Sequence, residues 1–251
     1  MGRSGTGVGL LRSRFPLTTR PRRACQEVAR VLFTLWSVKG GSGTSVVSAG
    51  LATLLTQRGR EVLLVDLAGD QPALLGIPEL TGPGVGDWLG SPDGDAAALG
   101  RLEIEVADGL RLLPGDVSGA VGAERVRELV AVLRSDRRAV VVDAGGRSPD
   151  SALRSALCEE GTSVLVVRAC YLALRRAVRS QVTADSAVLV VEPGRALDGT
   201  DVSRALGIPV HELDWDPTVA RAVDAGLLSS RPPRGLARDL APLAEIGESR
   251  P

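Results

Sequence analysis

From residue 31 onward the chain alternates short, branched apolar runs with amphipathic stretches, and this alternation restricts the fold more than any other feature. Apolar runs at Val31–Val38, Glu61–Leu67, Leu110–Leu113, Ala139–Asp143, Thr162–Val167, Ala187–Val191 and Ile208–Leu213 read as strands. Between and after them, 3.6-residue periodicity predicts helices over Ser45–Gln57, Ala123–Ser135, Pro149–Glu159, Tyr171–Thr183, Asp201–Leu206, Pro217–Ala225 and Arg234–Ala244. Residues 68–101, rich in Gly, Pro and Asp, read as loop with short helical pieces near Pro72–Leu75 and Gly84–Leu89. Strands apolar on both faces and separated by helices imply an α/β fold: a doubly wound, mostly parallel sheet flanked by helices. Aromatic residues are only 2% of the chain, so Leu, Val and Ala must build its core, which suits helices stacked on a sheet better than an aromatic-rich sandwich.

Residues 31–247 form one expected domain, and residues 1–30 lie outside it. The formal net charge is zero, but residues 1–31 hold seven Arg and one Glu, leaving the remainder acidic. Such an arm reads as a disordered lead-in, with a targeting peptide or an over-extended translation start as alternatives. It lacks the apolar core of a secretory signal, and no stretch of about 18 apolar residues occurs that would span a bilayer. Cys25, Cys158 and Cys170 are odd in number without CxxC spacing, which fits a reducing cytoplasm and packing roles better than disulfides or metal. His211, the only histidine, sits in an apolar run and reads as a packed side chain. Zinc chemistry and Ser-His-Asp catalysis are therefore disfavoured.

Ligands of open parallel sheets bind where strand ends meet helix starts. There the chain reads Lys39-Gly40-Gly41-Ser42-Gly43-Thr44-Ser45, between the first strand and its helix. Glycines allow successive backbone N–H groups to converge on an anion, and the helix N-terminus adds a favourable dipole. The alternative is a Gly-rich turn with a Ser cap and no ligand. The strict phosphate-loop pattern G-x-x-x-x-G-K-S/T fails, because Val38 stands at the first Gly and Thr44 at the Lys.

The run resembles instead the deviant loop K-G-G-x-G-K-S/T of the MinD/ParA ATPases. That resemblance implies a P-loop NTPase fold, bound ATP or ADP with Mg²⁺, and a homodimer in which the early lysine reaches the partner's nucleotide. Lys39 matches the early lysine and is the only lysine among the 30 basic residues of the chain. Gly40, Gly41, Ser42, Gly43, Thr44 and Ser45 would line the phosphates, with Ser45 at the Mg²⁺ hydroxyl position. Val62–Asp70 resembles the family's second-strand D-x-D motif; Asp66 matches its first carboxylate, whereas Ala68 stands at the second, which orients the attacking water. Asp70 lies two positions further on. Val140–Gly146 resembles the Walker B strand, with Asp143 near Mg²⁺; a helix cap or turn role is the alternative for Asp143. Pro209–Gly226 resembles the segment flanking the adenine, with Asp216 and Pro217 near the base, while Glu192 replaces an adenine-reading Asn. The run Val166–Arg176 resembles the TadZ/CpaE pilus-localisation and septum-site-like branch.

Thr44, Ala68 and Glu192 together imply a degenerate ATP site. Charge-assisted hydrogen bonds contribute about 1.5–3 kcal/mol each, so losing the lysine weakens nucleotide binding by about one to two orders of magnitude. Arg147 and Arg168 are candidates to recover part of that grip. Hydrolysis is expected near background. The implied role is a non-hydrolytic spatial organiser or scaffold of a Tad-type pilus or a division site, with protein partners from that assembly. The alternatives are a slow ATPase of the same family and a DNA-associated partition factor acting through the arm. The tail Leu236–Pro251 has little apolar moment, which does not support direct membrane binding.

Overall fold

The computed structural model describes residue 1 and residues 31–78, 80–146 and 151–246. The Arg-rich arm, Cys25 and Arg147 lie outside the described residues. The chain runs β1 (Leu32–Trp36), α1 (Thr44–Gln57), β2 (Val62–Asp66), α2 (Gln71–Leu74), α3 (Val85–Gly90), α4 (Ala96–Gly100), β3 (Ile104–Ala107) and β4 (Leu110–Leu113). It continues through α5 (Ala123–Ser135), β5 (Ala139–Asp143), α6 (Ser151–Glu160), β6 (Thr162–Arg168), α7 (Tyr171–Val178) and β7 (Ser186–Val191). The last elements are α8 (Gly199–Leu206), β8 (Val210–Asp214), α9 (Pro217–Asp224) and α10 (Arg234–Ile246).

These strands form one eight-stranded sheet in the order β3-β4-β2-β5-β1-β6-β7-β8. Every neighbouring pair is parallel except β3 with β4. The chain builds one flank as far as β5, then crosses β1 to build the other through β6, β7 and β8. The order reverses beside β1, which places the crevice of the sheet at the C-terminal end of β1.

Alternation along each strand divides the core between two faces. On one face Phe33, Leu35, Leu64, Val141 and Val164 pack against Leu51 and Leu55 of α1 and Leu236, Leu240 and Leu243 of α10. On the other, Leu63, Val65, Val140 and Val142 meet Leu129 and Leu133 of α5 and Leu153 and Leu157 of α6. Trp36, Leu165, Val167 and Leu189 gather Ala173 of α7 and Val202 of α8 into a third cluster. Helix α1 is buried along most of its length because the sheet and α10 cover it from two sides, which suits its TSVVSAGLATLLTQ sequence. The absence of a side chain at Gly50 lets α10 approach; a Cβ there would lie 3.0 Å from both Leu236 Cδ2 and Leu240 Cδ1.

The structure departs from the sequence expectations in two stretches. The segment read as loop up to residue 101 contains α4, and edge strand β3 follows it. Strand β3 shows apolar-polar alternation over only four residues, but Asp108-Gly109 between it and β4 is a two-residue hairpin signal, and Gly109 has φ +78°. Helix α7 ends at Val178 rather than reaching Thr183. The Ser180 hydroxyl accepts from the Val182 amide, a local bond that competes with helix continuation.

Candidate functional site

Strand β1 delivers the chain into a loop whose backbone is held from within. The Ser37 amide donates to the Gly145 carbonyl (3.0 Å). The hydroxyls of Ser37 and Ser42 both donate to the Lys39 carbonyl, at 3.1 and 2.8 Å. Gly41 (φ +76°) and Gly43 (φ +92°) take left-handed conformations that other residues adopt at a cost. Gly43 is the N-cap of α1, and no side chain caps that helix, so its first amides face the loop's concavity. A Cβ placed on Gly40 or Gly41 would meet nothing within 4 Å, which marks the front of the loop as open. Behind it the packing is tight: a Cβ on Gly146 would lie 2.8 Å from Ser37 Oγ and 2.9 Å from both Gly40 N and Lys39 C.

The loop forms one wall of a cleft of about 880 Å³ that includes Gly40 to Ser45, Ala68, Asp70, Asp116 and Gly145. A smaller cavity of about 280 Å³ adjoins it and shares Gly41, Ser42, Gly43, Val46, Val223 and Asp224. Val190, Leu213, Trp215 and Val219 give that cavity apolar walls. A polar cleft at a helix N-terminus continuous with an apolar pocket has the shape and chemistry for a phosphorylated planar ligand.

Two carboxylates stand behind the loop. Asp66 and Asp143 end the neighbouring strands β2 and β5, are register partners, and are fully buried. Asp66 Oδ1 accepts from the amides of Ala68 (3.0 Å) and Gly69 (2.8 Å), and its Oδ2 from that of Gln71 (2.9 Å). Asp143 Oδ1 accepts from the Gly145 amide (3.1 Å) and its Oδ2 from Gln71 Nε2 (2.7 Å). Gln71 Nε2 also donates to the Ser45 carbonyl (3.0 Å), so one amide ties α1 to β5. Burial, and then the neighbouring Asp143, push the Asp66 carboxyl up to about 7 against the pull of its three amide donors. Burial likewise raises Asp143.

The sequence-derived residues divide between positions. Gly40, Gly41, Ser42, Gly43, Thr44 and Ser45 all line the cleft, and Thr44 is 5% exposed. Asp216 lines the smaller cavity while capping α9: its Oδ1 accepts from the Thr218 amide (2.7 Å), and Pro217 is the first residue of that helix. Lys39 is half-buried beside the loop, lines neither cavity, and forms no ion pair among the described residues. Asp66 does not line the cleft; its oxygens organise the turn that follows β2. Asp143 lies beneath the lining, next to Ser45 and Gln71. Arg168 does not reach the phosphate cleft. Its Nη1 donates to the Gly41 carbonyl (3.2 Å), Nη2 is bonded to Glu192, and it lines the smaller cavity. Glu192 is also paired with Arg195.

Three residues were not singled out from sequence. Gln71 bridges Ser45 and Asp143, and a lone Gln after an Asp-rich turn carries no signal of that. Trp215 is 46% exposed at the rim of the smaller cavity. Asp116 comes from the turn after β4 and bridges Ala68 through the backbone. No group of three or more His, Cys, Asp or Glu side chains suited to a metal ion occurs among the described residues. Ser45 and Asp143, hard oxygen donors at the foot of the phosphate loop, with the buried Oε1 of Gln71 unpaired beside them, match the chemistry of Mg²⁺. No helix among the described residues is long and apolar enough to cross a membrane.

Residues 33–169 match the model of the CobQ/CobB/MinD/ParA nucleotide binding domain. A ParA family ATPase from Chlorobium tepidum superposes with a TM-score of 0.71 at 20% identity, covering 86% of this chain and 98% of that one. The septum site-determining protein MinD from Pyrococcus horikoshii, complexed with Mg-ADP, superposes with a TM-score of 0.65 at 20% identity, over 88% and 96% of the two chains. MinD in the MinC:MinD cell division complex of Aquifex aeolicus gives 0.69 at 18% identity, over 88% and 98%. No curated protein matches the sequence. With the family model covering more than half of the chain, and a phosphate loop at the switch point of a matching sheet, the protein belongs to the CobQ/CobB/MinD/ParA nucleotide-binding domain family.

Proposed function

We propose that this protein binds ATP or ADP with Mg²⁺ weakly, hydrolyses it at near-background rate, and serves as a dimerising organiser of a pilus or division assembly in the cytoplasm. The observation that carries this reading is the composition of the cleft: Thr44 is buried where the family's phosphate-gripping lysine belongs, and no Lys or Arg lines the cleft among the described residues. The amides of Gly41 to Ser45 would hold phosphate oxygens at the start of α1. Ser45 would take the cation, with Asp143 and Gln71 orienting its hydroxyl and backbone. Bound Mg²⁺ supplies charge neutralisation at the phosphates. The base would enter the apolar cavity against Trp215 and Asp216, with Arg168, itself paired with Glu192, also in the lining. Lys39, which forms no ion pair among the described residues, would reach a second copy's nucleotide.

Support for the ligand class comes from family membership and from relatives such as MinD with Mg-ADP and an ATP complex of Cyanothece McdA. The pilus or septum setting rests on the resemblance of Val166–Arg176 alone. The test is titration with a fluorescent ATP analogue and steady-state turnover, comparing wild type with Thr44→Lys/Ala68→Asp. The double variant should bind about 10–100-fold more tightly, by one or two restored charge-assisted hydrogen bonds. Wild-type turnover equal to that of the double variant, and abolished by Asp143→Ala, would refute the reading.

A further inference from the structure

Among the described residues no Lys or Arg lines the cleft, whereas several acids do. Asp70, Asp116 and Asp224 line it, so a polyphosphate entering alone meets like charge on several sides. The path of the chain after β2 concentrates this effect at one point. Asp66 gathers the amides of Ala68, Gly69 and Gln71, and Gly69 turns the backbone at φ +86°. That turn brings Asp70 back to the start of α1, where its Oδ2 accepts from Ser45 Oγ at 3.4 Å.

Asp70 is the N-cap residue of α2, yet its side chain accepts no capping hydrogen bond. Its oxygens therefore do not hold the helix. Asp143 stands close enough for the Ser45 hydroxyl to draw its carboxyl downward, so oxygen-bearing side chains from three separate segments gather at this point. Gln71 supplies an independent observation. It is fully buried, its Nε2 sits between the Ser45 carbonyl and Asp143, and Oε1 of the same carboxamide has no partner. A buried acceptor left unpaired beside two carboxylates and a hydroxyl is the environment a hydrated divalent cation satisfies.

We propose that Asp70, with Ser45 and Asp143, makes this a cation-first site, in which a divalent ion supplies the positive charge that a lysine at position 44 would otherwise supply. This rests on the nucleotide-binding reading above for its second half only, because the cation half stands without any nucleotide. Asp70 then has opposite effects in two conditions. With the ion bound it strengthens nucleotide binding; without the ion it repels the phosphates. A residue that merely shaped the loop would act in one direction in both.

The experiment uses the full chain and its Asp70→Asn variant, which has the same size and lacks the charge. Mn²⁺ alone is titrated by electron paramagnetic resonance, and the variant should bind it about tenfold more weakly. Fluorescent ADP is then titrated in Mg²⁺ and in EDTA. The variant should lose about tenfold affinity in Mg²⁺ and gain about twofold in EDTA, the scale of removing one unit charge some distance from the phosphates. Equal Mn²⁺ affinity in the two proteins, or a variant weaker in both nucleotide conditions, overturns the proposal. If fluorescent ADP binds neither protein, the nucleotide reading fails while the Mn²⁺ titration still decides the role of Asp70.

Discussion

The buried pair at the ends of β2 and β5 makes a measurable prediction about pH. Asp66 is fully buried, and its carboxyl is raised from an ordinary 3.8 to about 7, first by burial and then by Asp143. A carboxyl raised on folding binds more protons in the native state between those two values, so its contribution to stability is complete below 3.8 and is lost as pH rises through 7. Between pH 5 and pH 8 this linkage removes about 2–3 kcal/mol. Asp66→Asn abolishes that titration. The amide oxygen still accepts from Ala68 and Gly69, but its NH₂ group faces the Gln71 amide, and one unsatisfied buried donor costs about 1–3 kcal/mol. The variant should therefore be less stable than wild type at pH 5 and close to it, or above it, at pH 8.

Urea unfolding in EDTA at half-unit pH steps measures the difference, and EDTA keeps cations from titrating the pair. His211 does not disturb the comparison. Burial lowers its ring below 6.5, so it adds stability as pH rises, and it does so in both proteins. A stability difference between the two proteins that is constant from pH 5 to pH 8 would refute the argument that Asp66 is a high-pKa acid in the folded state.

Gly146→Ala should displace the phosphate loop without unfolding the chain, because its Cβ would fall within 3 Å of Ser37 Oγ and the backbone at Lys39 and Gly40; nucleotide titration should show affinity lost while thermal unfolding shifts little. Arg125→Ala should lower stability by about 3 kcal/mol, the scale of charged hydrogen bonds lost together with a cation–π contact. Arg125 donates to the carbonyls of Gly94 (2.9 Å) and Trp88 (2.7 Å) and stacks 3.7 Å from the Trp88 ring centroid. This cluster lies away from the cleft, so chemical denaturation should report the loss while nucleotide affinity stays unchanged.

Much of this architecture was legible before any coordinates. Periodicity and branched apolar runs identified the central strands, with Leu110–Leu113 and Ala139–Asp143 matching residue for residue, because a strand buried on both faces has a continuous apolar signature. Edge strand β3 escaped because it is four residues long and half-exposed, so its pattern is weak; only the Asp108-Gly109 turn marked it. The glycine spacing of residues 40–43 marked the turn between β1 and α1, since the positive φ that Gly41 and Gly43 adopt is a demand that few residues meet.

The carboxylates were a different matter. Sequence placed Asp66 and Asp143 at strand ends and marked Ala68 as a gap, but it had no means to tell that Asp66 serves the turn and not the cleft. Nor could it tell that Gln71 ties Ser45 to Asp143 or that Asp116 lies against Ala68 from a loop nearly fifty residues away. Asp70 is the sharpest case. Its spacing alone assigns it nothing, because the distance between two residues across a turn depends on the dihedral angles between them, here set by Gly69 and by three amides bonded to Asp66. Local sequence determined the strands and the glycine-rich turn, since each follows from short-range sterics and hydrophobic period. Which acids converge on Ser45 was decided only by the tertiary structure, because strand register and loop path bring together groups whose separation along the chain carries no record of their meeting.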